Sequence, residues 1–305
     1  MDSSCPLVSI IIPTYERVCE LERAINSIIC QTYDEWEVIV IDNHSSDGTD
    51  EIISLFNDPR IKLYKIHNMG VIAASRNFGI KVSSGKYIAF LDSDDWWKKN
   101  KLEESVKYLG HGYDVVYHDM FLVKKDSQKL FLRKTRSRDL IAPVFQDLIS
   151  NGNAINNSSA VIRRDALIKI NGLTEEEELI AAEDYDGWLR VAKISDKFKK
   201  VPGVLGYYWL GGGNTSNPAR TIKTIEALER VYADDILILK SNNCLYYYDY
   251  VKARACYSMG NYLGARKYIN ICWPQKNIPF LFSFKMKLID AASFLMIRLM
   301  KLLGD

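Results

Sequence analysis

Short apolar runs alternate with amphipathic stretches along the first hundred residues. Residues 7–12 are apolar and rich in β-branched side chains, which predicts a strand buried on both faces that ends at Pro13. The following residues carry apolar side chains at the three- and four-residue spacing of one helical face. Residues 36–41 then predict a second buried strand. The positions of this helical face are Leu21, Ala24, Ile25, Ile28 and Ile29.

The alternation of strand and helix patterns continues to the acidic sequence Asp92-Ser93-Asp94-Asp95. Asp47-Gly48-Thr49 begins a helix, residues 61–66 predict a third strand, residues 73–82 a third helix and residues 87–91 a fourth strand. Repeated strand–helix–strand units predict a parallel sheet whose ligands bind at the carboxyl ends of the strands. The polar residues that follow each strand are therefore the candidate site residues.

The rest of the chain has a less regular pattern. Residues 114–117 and 160–162 predict short strands, residues 124–138 a loop or hairpin, and residues 184–194 a helix. Beyond the three glycines at 211–213 the pattern becomes helical to the C-terminus. We place a domain boundary near residues 216–221.

Composition and charge narrow the possible functions. The chain is 48 % hydrophobic and 26 % charged, which is typical of a folded globular protein and excludes disorder. Its net charge of +2 argues against a nucleic acid partner. Residues 241–305 carry nine Lys and Arg against three Asp, so this part is basic and the remainder acidic. Six cysteines without a Cys-x-x-Cys pair, and an N-terminus without a basic signal region, predict reduced thiols in a cytoplasmic protein.

The strand ends carry acids and amides instead of a phosphate-binding glycine loop. Neither Gly-x-Gly-x-x-Gly nor Gly-x-x-x-x-Gly-Lys-Ser/Thr follows the first strand. Asp92 and Asp94 stand two residues apart at a strand end, where one can bind Mg²⁺ or Mn²⁺ and the other a ribose hydroxyl. The alternative is that Ser93, Asp94 or Asp95 caps the following helix.

Five motifs in register carry a resemblance to a known family. They are residues 8–15 (Val-Ser-Ile-Ile-Ile-Pro-Thr-Tyr), 38–49, 68–70 (Asn-Met-Gly), 74–79 (Ala-Ser-Arg-Asn-Phe-Gly) and 92–95. Their order and spacing resemble the successive motifs of glycosyltransferase family two. The resemblance implies an α/β GT-A fold, with a mostly parallel central sheet and flanking helices, that binds a UDP-sugar through Mn²⁺ or Mg²⁺ and inverts the anomeric centre.

The resemblance also implies domain bounds and further expectations about the donor site. We expect a catalytic domain over residues 1–218, with a nucleotide-binding half to about residue 100 and an acceptor half from 101, followed by a helical region over residues 219–305. Roles are carried over residue by residue. Thr14 and Tyr15 line the uracil site, Asp42 accepts a hydrogen bond from the base, Arg76 approaches the nucleotide, Asp92 faces the ribose, Asp94 holds the metal, and Ser216 or Asn214 closes on the diphosphate; Pro13, Glu16, Asn68 and Ser93 complete the donor-binding set.

Some of these positions depart from the family's pattern or allow another role. Glu16 stands where the family often has Asn, and Asp42 can alternatively be a turn former in the sequence Asp-Asn-His-Ser-Ser-Asp-Gly. No basic residue lies between Trp209 and Ser216, where the family usually has one.

A second acidic motif supplies the candidate base. Residues 182–190 (Ala-Glu-Asp-Tyr-Asp-Gly-Trp-Leu-Arg) resemble the family's Glu-Asp motif. A sugar hydroxyl is a poor nucleophile until its proton is being removed, so we expect Asp184 to act as base, supported by Glu183, in a single displacement. The alternative is that these acids only stabilise a helix N-terminus.

The C-terminal tail, residues 280–305, has an amphipathic and basic pattern. Charged residues interrupt its apolar sequence, so we expect it not to cross a bilayer. Leu288, Leu295, Leu299 and Leu302 share one helical face, which suits an anionic membrane surface. The alternative is a helix docked on the catalytic domain.

A membrane-bound tail fits a lipid-linked acceptor, as in the bacterial surface-polysaccharide assembly in which the resembled family commonly acts. It implies a glycan acceptor linked to polyprenyl diphosphate, at the cytoplasmic face of the cell membrane, in O-antigen (lipopolysaccharide) or capsule assembly. Two other functions stay open, a sugar-phosphate nucleotidyltransferase and a non-catalytic glycan- or lipid-binding module.

Overall fold

The structure, a computed structural model, describes residues 6–124, 133–211, 217–241, 246–272 and 278–303. The chain forms two compact units. The first comprises Met1–Phe145 and Asn153–Gly213, and the second comprises Gln146–Gly152 and Asn214–Asp305. Helix α5 (Val144–Asn151) begins in the first unit and continues into the second.

The first unit is built on one mixed sheet with flanking helices. Its strands are β1 (Val8–Thr14), β2 (Trp36–Asp42), β3 (Ile61–Lys65), β4 (Tyr87–Phe90), β5 (Trp96–Trp97), β6 (Val115–Val123), β7 (Arg133–Lys134), β8 (Val161–Arg163) and β9 (Phe198–Trp209). Its helices besides α5 are α1 (Val18–Ile29), α2 (Thr49–Phe56), α3 (Ile72–Val82), α4 (Lys101–Gly110), α6 (Arg164–Lys169) and α7 (Glu183–Ala192).

The strand order is β3-β2-β1-β4-β8-β6-β9-β5, with β7 paired to β6. The β1–β2, β2–β3, β1–β4 and β6–β9 pairings are parallel, and the other four are antiparallel. The parallel strands β1 to β4 come from the alternating pattern of the first hundred residues, and their carboxyl ends meet at one edge. The expected α/β fold with flanking helices and a helical C-terminal region is confirmed.

Strand β1 continues past the proline that was expected to end it. Pro13 lies within β1 opposite Ile41, and the strand ends at Thr14 opposite Asp42. Strand β4 accompanies β1 only as far as Ile11, so beyond that point β1 has β2 alone beside it. Proline is tolerated where one side of a strand is unpaired, which is why the ladder survives there.

Helices α1 and α3 cover this half of the sheet. Four of the five predicted positions of α1 are buried in the same apolar core as β1 and β2, whereas Ile29, the last residue of the helix, is 41 % exposed. In α3, Gly79 lies so close to β1 that an added Cβ would stand 2.6 Å from Cγ2 of Ile11. This close approach fixes α3 on the sheet and with it Arg76, one turn earlier.

The second unit is helical. Its helices are α8 (Pro218–Val231), α9 (Ala233–Ser241), α10 (Tyr246–Ser258), α11 (Tyr262–Cys272) and α12 (Phe280–Leu303). Helix α10 packs against α8 and α11, and α12 packs against α11 and α10. Asn217 caps α8 by accepting hydrogen bonds from the N–H groups of Ala219 and Arg220. Within the described ranges, no helix is long and apolar enough to span a membrane.

Candidate active site

The loop after β4, residues 92–95, is called the acid loop below. Asp92 Oδ1 accepts hydrogen bonds from Arg76 Nη2 at 2.6 Å and from Asn157 Nδ2 at 3.3 Å. The Asp92 N–H donates to Ser158 Oγ at 3.1 Å, and Ser93 is buried. Helix α4 begins only at Lys101, after β5, so the alternative that this loop caps the following helix is wrong.

Asp94 is held by two arginines of the α1 segment. Arg17 Nη1 forms an ion pair with Asp94 Oδ2 at 2.5 Å, and Arg23 Nη2 donates to the Asp94 carbonyl at 2.7 Å. Burial, and then the charge of Asp92, raise the pKa of Asp94, while Arg17 opposes the rise. Arg17 and Arg23 were not among the predicted site residues.

Asp95 joins the acid loop to the end of β9. Its Oδ1 accepts a hydrogen bond from the Trp209 N–H at 2.8 Å. Burial, together with the charges of Asp92 and Asp94, raises the pKa of Asp95 well above its usual range. Asp95 is therefore a buried residue that links the acid loop to β9.

Arg76 joins Asp92 of the acid loop to Glu183 of the second acidic motif. Its guanidinium donates to Asp92 through Nη2 and to Glu183 Oε1 through Nη1, the latter at 2.5 Å. The side chain is buried. Burial alone would lower the pKa of Arg76, but the charges of Asp92 and Glu183 outweigh it and raise the pKa. Residues that lie 107 positions apart in the sequence thus share one ion-pair network.

The candidate base lies beside this network at the start of α7. Asp184 Oδ1 accepts a hydrogen bond from the Tyr185 N–H at 2.7 Å, and the residue keeps partial solvent exposure. Loss of water around the carboxyl group, and then the charge of Glu183, raise the pKa of Asp184 to about 7. Glu183 Oε2 is buried and has no hydrogen-bond partner among the described residues. These acids do occupy a helix N-terminus, but the Arg76 contact links them to the acid loop as well.

The loop after β1 combines buried and exposed positions. Pro13 and Thr14 are buried, and Thr14 Oγ1 has no hydrogen-bond partner among the described residues. The Tyr15 side chain is 56 % exposed. Glu16, at a φ of 51°, accepts hydrogen bonds from the Ser46 N–H and Oγ. An exposed aromatic ring therefore stands next to a buried hydroxyl at the carboxyl edge of the sheet.

Asp42 and Asn68 are held by their own loops. Asp42 is fully buried, and its carboxylate accepts hydrogen bonds from the Ser45 N–H at 3.1 Å and Oγ at 2.5 Å. These contacts agree with the alternative that Asp42 forms a turn. Its hydrogen bond with the uracil base stays a prediction. Asn68 donates to Ser75 Oγ and accepts from the Gly70 N–H.

Of the predicted site residues, Ser216 and Asn214 lie outside the described residues. Asn157 and Ser158, which contact Asp92, were not predicted; the run of asparagines and serines at 156–159 was their only sequence signal.

The acid loop fits a divalent cation. Three carboxylates within four positions repel one another, and the rise in the pKa of Asp94 expresses that repulsion after burial. Mg²⁺ and Mn²⁺ bind through one or two protein carboxylates and take their other ligands from phosphate and water. Among the described residues, no group of three or more His, Cys, Asp or Glu is placed to hold a metal by itself.

Comparison with known proteins identifies the family. The model of Glycosyl transferase family 2 matches residues 9–170. An uncharacterized glycosyltransferase of Haemophilus influenzae is 39 % identical over 226 residues, which is 67 % of this chain and 88 % of that protein. The UDP-Glc:alpha-D-GlcNAc-diphosphoundecaprenol beta-1,3-glucosyltransferase WfgD of Escherichia coli is 44 % identical over 103 residues, or 34 % of this chain. This chain spans less than half of WfgD (41 %) and of two further curated relatives (20 % and 42 %).

A solved structure supports the fold. Staphylococcus aureus TarS 1-349 in complex with UDP-GlcNAc gives a TM-score of 0.62 at 20 % identity, covering 87 % of this chain and 79 % of that one. At such an identity the likeness shows the fold alone, and the expected GT-A fold is confirmed. Since the family model covers more than half of the sequence, and the Haemophilus relative two thirds of it, this chain belongs to glycosyl transferase family 2.

Proposed function

We propose that this chain is an inverting glycosyltransferase that moves a hexose from a UDP-sugar to a hydroxyl group of a glycan acceptor, forming a β-linkage. The observation that carries the proposal is the position of Arg76, which donates to Asp92 on the donor side and to Glu183 beside the candidate base. One buried cation thereby fixes the two acidic motifs relative to each other. A single displacement needs such a fixed relation between leaving group and base.

Asp184 is the proposed base. A carboxyl group with a pKa of about 7 can take a proton from a sugar hydroxyl near neutral pH and hold it. Its partial exposure lets an acceptor approach, and Glu183 keeps the pKa high through its charge. The hydroxyl oxygen then attacks the anomeric carbon from the face opposite to the departing UDP.

The donor would lie along the carboxyl edge of β1, β2 and β4. We assign the exposed ring of Tyr15 and the hydroxyl of Thr14 to the uracil, with Pro13, Glu16, Asp42 and Asn68 shaping the loops that hold it. Asp92 would face the ribose, with Ser93 beside it, and Ser216 would close on the diphosphate. Arg76 would act by holding Asp92, to which its Nη2 donates a hydrogen bond. Its approach to the nucleotide stays a prediction.

Asp94 would hold Mn²⁺ or Mg²⁺. When bound, the divalent ion supplies positive charge against the departing diphosphate. A solved structure with a similar fold, the mannosyltransferase PcManGT from Pyrobaculum calidifontis, contains GDP-Man and Mn2+ (TM-score 0.59, 17 % identity, 98 % of this chain and 88 % of that one).

Replacing Asp94 with Ala is expected to abolish the metal dependence of UDP binding. The wild type should bind UDP more tightly with Mn²⁺ than with a chelator, whereas Asp94→Ala should bind it equally under both conditions, because the carboxylate that recruits the ion is gone. Isothermal titration calorimetry measures both affinities. Asp165→Ala, which removes an exposed acid from α6, is the control. A metal-dependent gain retained by Asp94→Ala would remove Asp94 from the metal site.

The proposed acceptor is a glycan linked to polyprenyl diphosphate in bacterial O-antigen or capsule assembly. WfgD, the relative described above, is named for transfer from UDP-Glc to a GlcNAc-diphosphoundecaprenol. The test is a panel of UDP-sugars with Mn²⁺ or Mg²⁺ and this acceptor class, read by UDP release. Acceptor-dependent UDP release supports the proposal. Pyrophosphate release from a nucleoside triphosphate would indicate a nucleotidyltransferase, and UDP binding without any transfer a non-catalytic module.

We also propose that α12 lies on an anionic membrane at the cytoplasmic face. Its exposed residues recur every three or four positions, so they form one face along a helix of 24 residues. This face includes Phe280, which is 85 % exposed, Leu295, which is 57 % exposed, and Lys287 and Arg298. Apolar side chains mixed with cations suit the boundary between head groups and acyl chains.

The double variant Leu288→Glu, Leu295→Glu is expected to lose vesicle binding. The wild type should sediment with phosphatidylglycerol vesicles and less with phosphatidylcholine vesicles, and the variant should bind at least about tenfold more weakly, because two apolar anchors become anions. Leu237→Glu, at a leucine of α9 that is 70 % exposed, is the control. Equal sedimentation of the double variant and wild type would rule out α12 as the membrane surface.

A further inference from the structure

The beginning of α1 brings a guanidinium group to the carboxylate proposed to hold the metal. Arg17 immediately precedes the helix, and its Nη1 pairs with Asp94 Oδ2 at 2.5 Å. Arg17 and the proposed metal therefore require the same carboxylate. Two cations held by one carboxylate repel each other even on different oxygens, so binding of one weakens binding of the other.

The two arginines on Asp94 are held differently. The Arg23 guanidinium lies over the rings of Trp96 and Trp209, at 4.0 and 4.8 Å, and its Nη2 donates to the Asp94 backbone carbonyl. Arg17 contacts the carboxylate itself, with 29 % of its own side chain and 18 % of Asp94 exposed. Arg23 therefore holds the backbone of the acid loop, whereas Arg17 pairs with a carboxylate that is partly open to solvent.

The chemistry of Arg17 suits that ligand. A guanidinium binds phosphate oxygens through paired hydrogen bonds that an ammonium group cannot reproduce. Arg17 lies three residues after the end of β1, at the sheet edge where the donor is proposed to bind. No Lys or Arg stands between Trp209 and Ser216 in the sequence, so that segment offers no cation to the diphosphate.

We propose that Arg17 is the counter-ion of Asp94 in the absence of the donor, and that it moves from Asp94 to the diphosphate when a divalent ion and the nucleotide bind. The inference rests on the proposed function, since it assumes a nucleotide diphosphate beside the acid loop. Arg17 thereby competes with the metal when nucleotide is absent and assists nucleotide binding when metal is present. A cation therefore lies beside the Asp94 carboxylate in both states, Arg17 without the donor and the divalent ion with it.

Mn²⁺ binding without nucleotide tests the first half, and UDP binding in saturating Mn²⁺ tests the second. Free Mn²⁺ is measured by electron paramagnetic resonance and UDP affinity by calorimetry. Arg17→Ala is expected to bind Mn²⁺ alone about tenfold more tightly and UDP with Mn²⁺ about tenfold more weakly than the wild type, the size of a charge-assisted hydrogen bond. Arg17→Lys should retain near wild-type Mn²⁺ affinity and show an intermediate UDP affinity.

The control is Arg60→Ala, which removes an arginine paired with Asp58 at 2.7 Å on the loop before β3. It should change neither affinity. Equal Mn²⁺ affinities of the wild type and both Arg17 variants, or equal UDP affinities, would overturn the role of Arg17 alone. Failure of the wild type to bind UDP and Mn²⁺ would instead overturn the proposed function, and the Arg17 exchange with it.

Discussion

Asp184→Asn is expected to reduce sugar transfer severely while leaving UDP binding unchanged. General base catalysis contributes about 10²–10⁴-fold to a rate, so turnover should fall by that factor. The amide has nearly the same shape as the carboxyl group and keeps the hydrogen bond from the Tyr185 N–H, so the start of α7 stays intact. The donor contacts proposed for β1, β2 and β4 do not involve Asp184. Turnover is measured by UDP release and donor binding by calorimetry.

The wild-type rate should depend on pH in a direction set by the same group. The pKa of Asp184 is raised to about 7, so the carboxyl group is protonated and inactive below this value and becomes a competent base above it. The transfer rate should therefore rise as the pH increases through 7. The residual activity of Asp184→Asn should lack this rise.

Asp165→Asn makes the same chemical change at an exposed position of α6 and should retain full activity with the wild-type pH profile. If Asp184→Asn turned over at the wild-type rate, Asp184 would not be the base. The proposed displacement would then need another proton acceptor.

The sequence predicted the first hundred residues well because apolar periodicity and tertiary burial agree there. Strands β1 and β2 are buried at every position, and four of the five predicted positions of α1 are buried, the exception being Ile29 at the end of the helix. The predicted end of the first strand was wrong at Pro13, because the effect of a proline depends on which neighbouring strand still accompanies it. Periodicity along one strand carries no information about where its partner ends.

The acids of the site were predicted, whereas the groups that hold them were not. Asp92, Asp94 and Asp184 belong to compact motifs, so they can be recognised locally. The contacts from Arg17 and Ser158 depend on how distant segments fold together, across 77 and 66 positions of sequence. The capping alternative for the acid loop failed because β5 intervenes before α4, and a strand of two residues leaves almost no pattern in a sequence.

Arg76→Met is expected to destabilise the first unit by about 3–5 kcal/mol, because removal of one partner leaves buried charges uncompensated. The methionine fills a similar volume, so the loss reports the charge and not a cavity. Glu183 is also buried and would retain no other cation among its described contacts, since its Oε1 bonds to Arg76 and its Oε2 has no partner there. The free energy of unfolding is measured in urea by tryptophan fluorescence, with the fully buried Trp188 five positions from Glu183 as a reporter.

A double-mutant cycle separates this electrostatic effect from a general loss of packing. Glu183→Gln should relieve part of the cost of the uncompensated charge. The free energy of unfolding lost in the double variant of Arg76→Met and Glu183→Gln should therefore be smaller than the sum of the losses in the two single variants, by about 1–3 kcal/mol. Arg60→Met, at a partly exposed pair with Asp58, should cost at most about 1 kcal/mol. Additive losses at Arg76 and Glu183 would mean that the two side chains contribute independently. Glu183 and Asp184 would then owe their position to α7 alone. The link between the two acidic motifs, which supports a single displacement, would be lost.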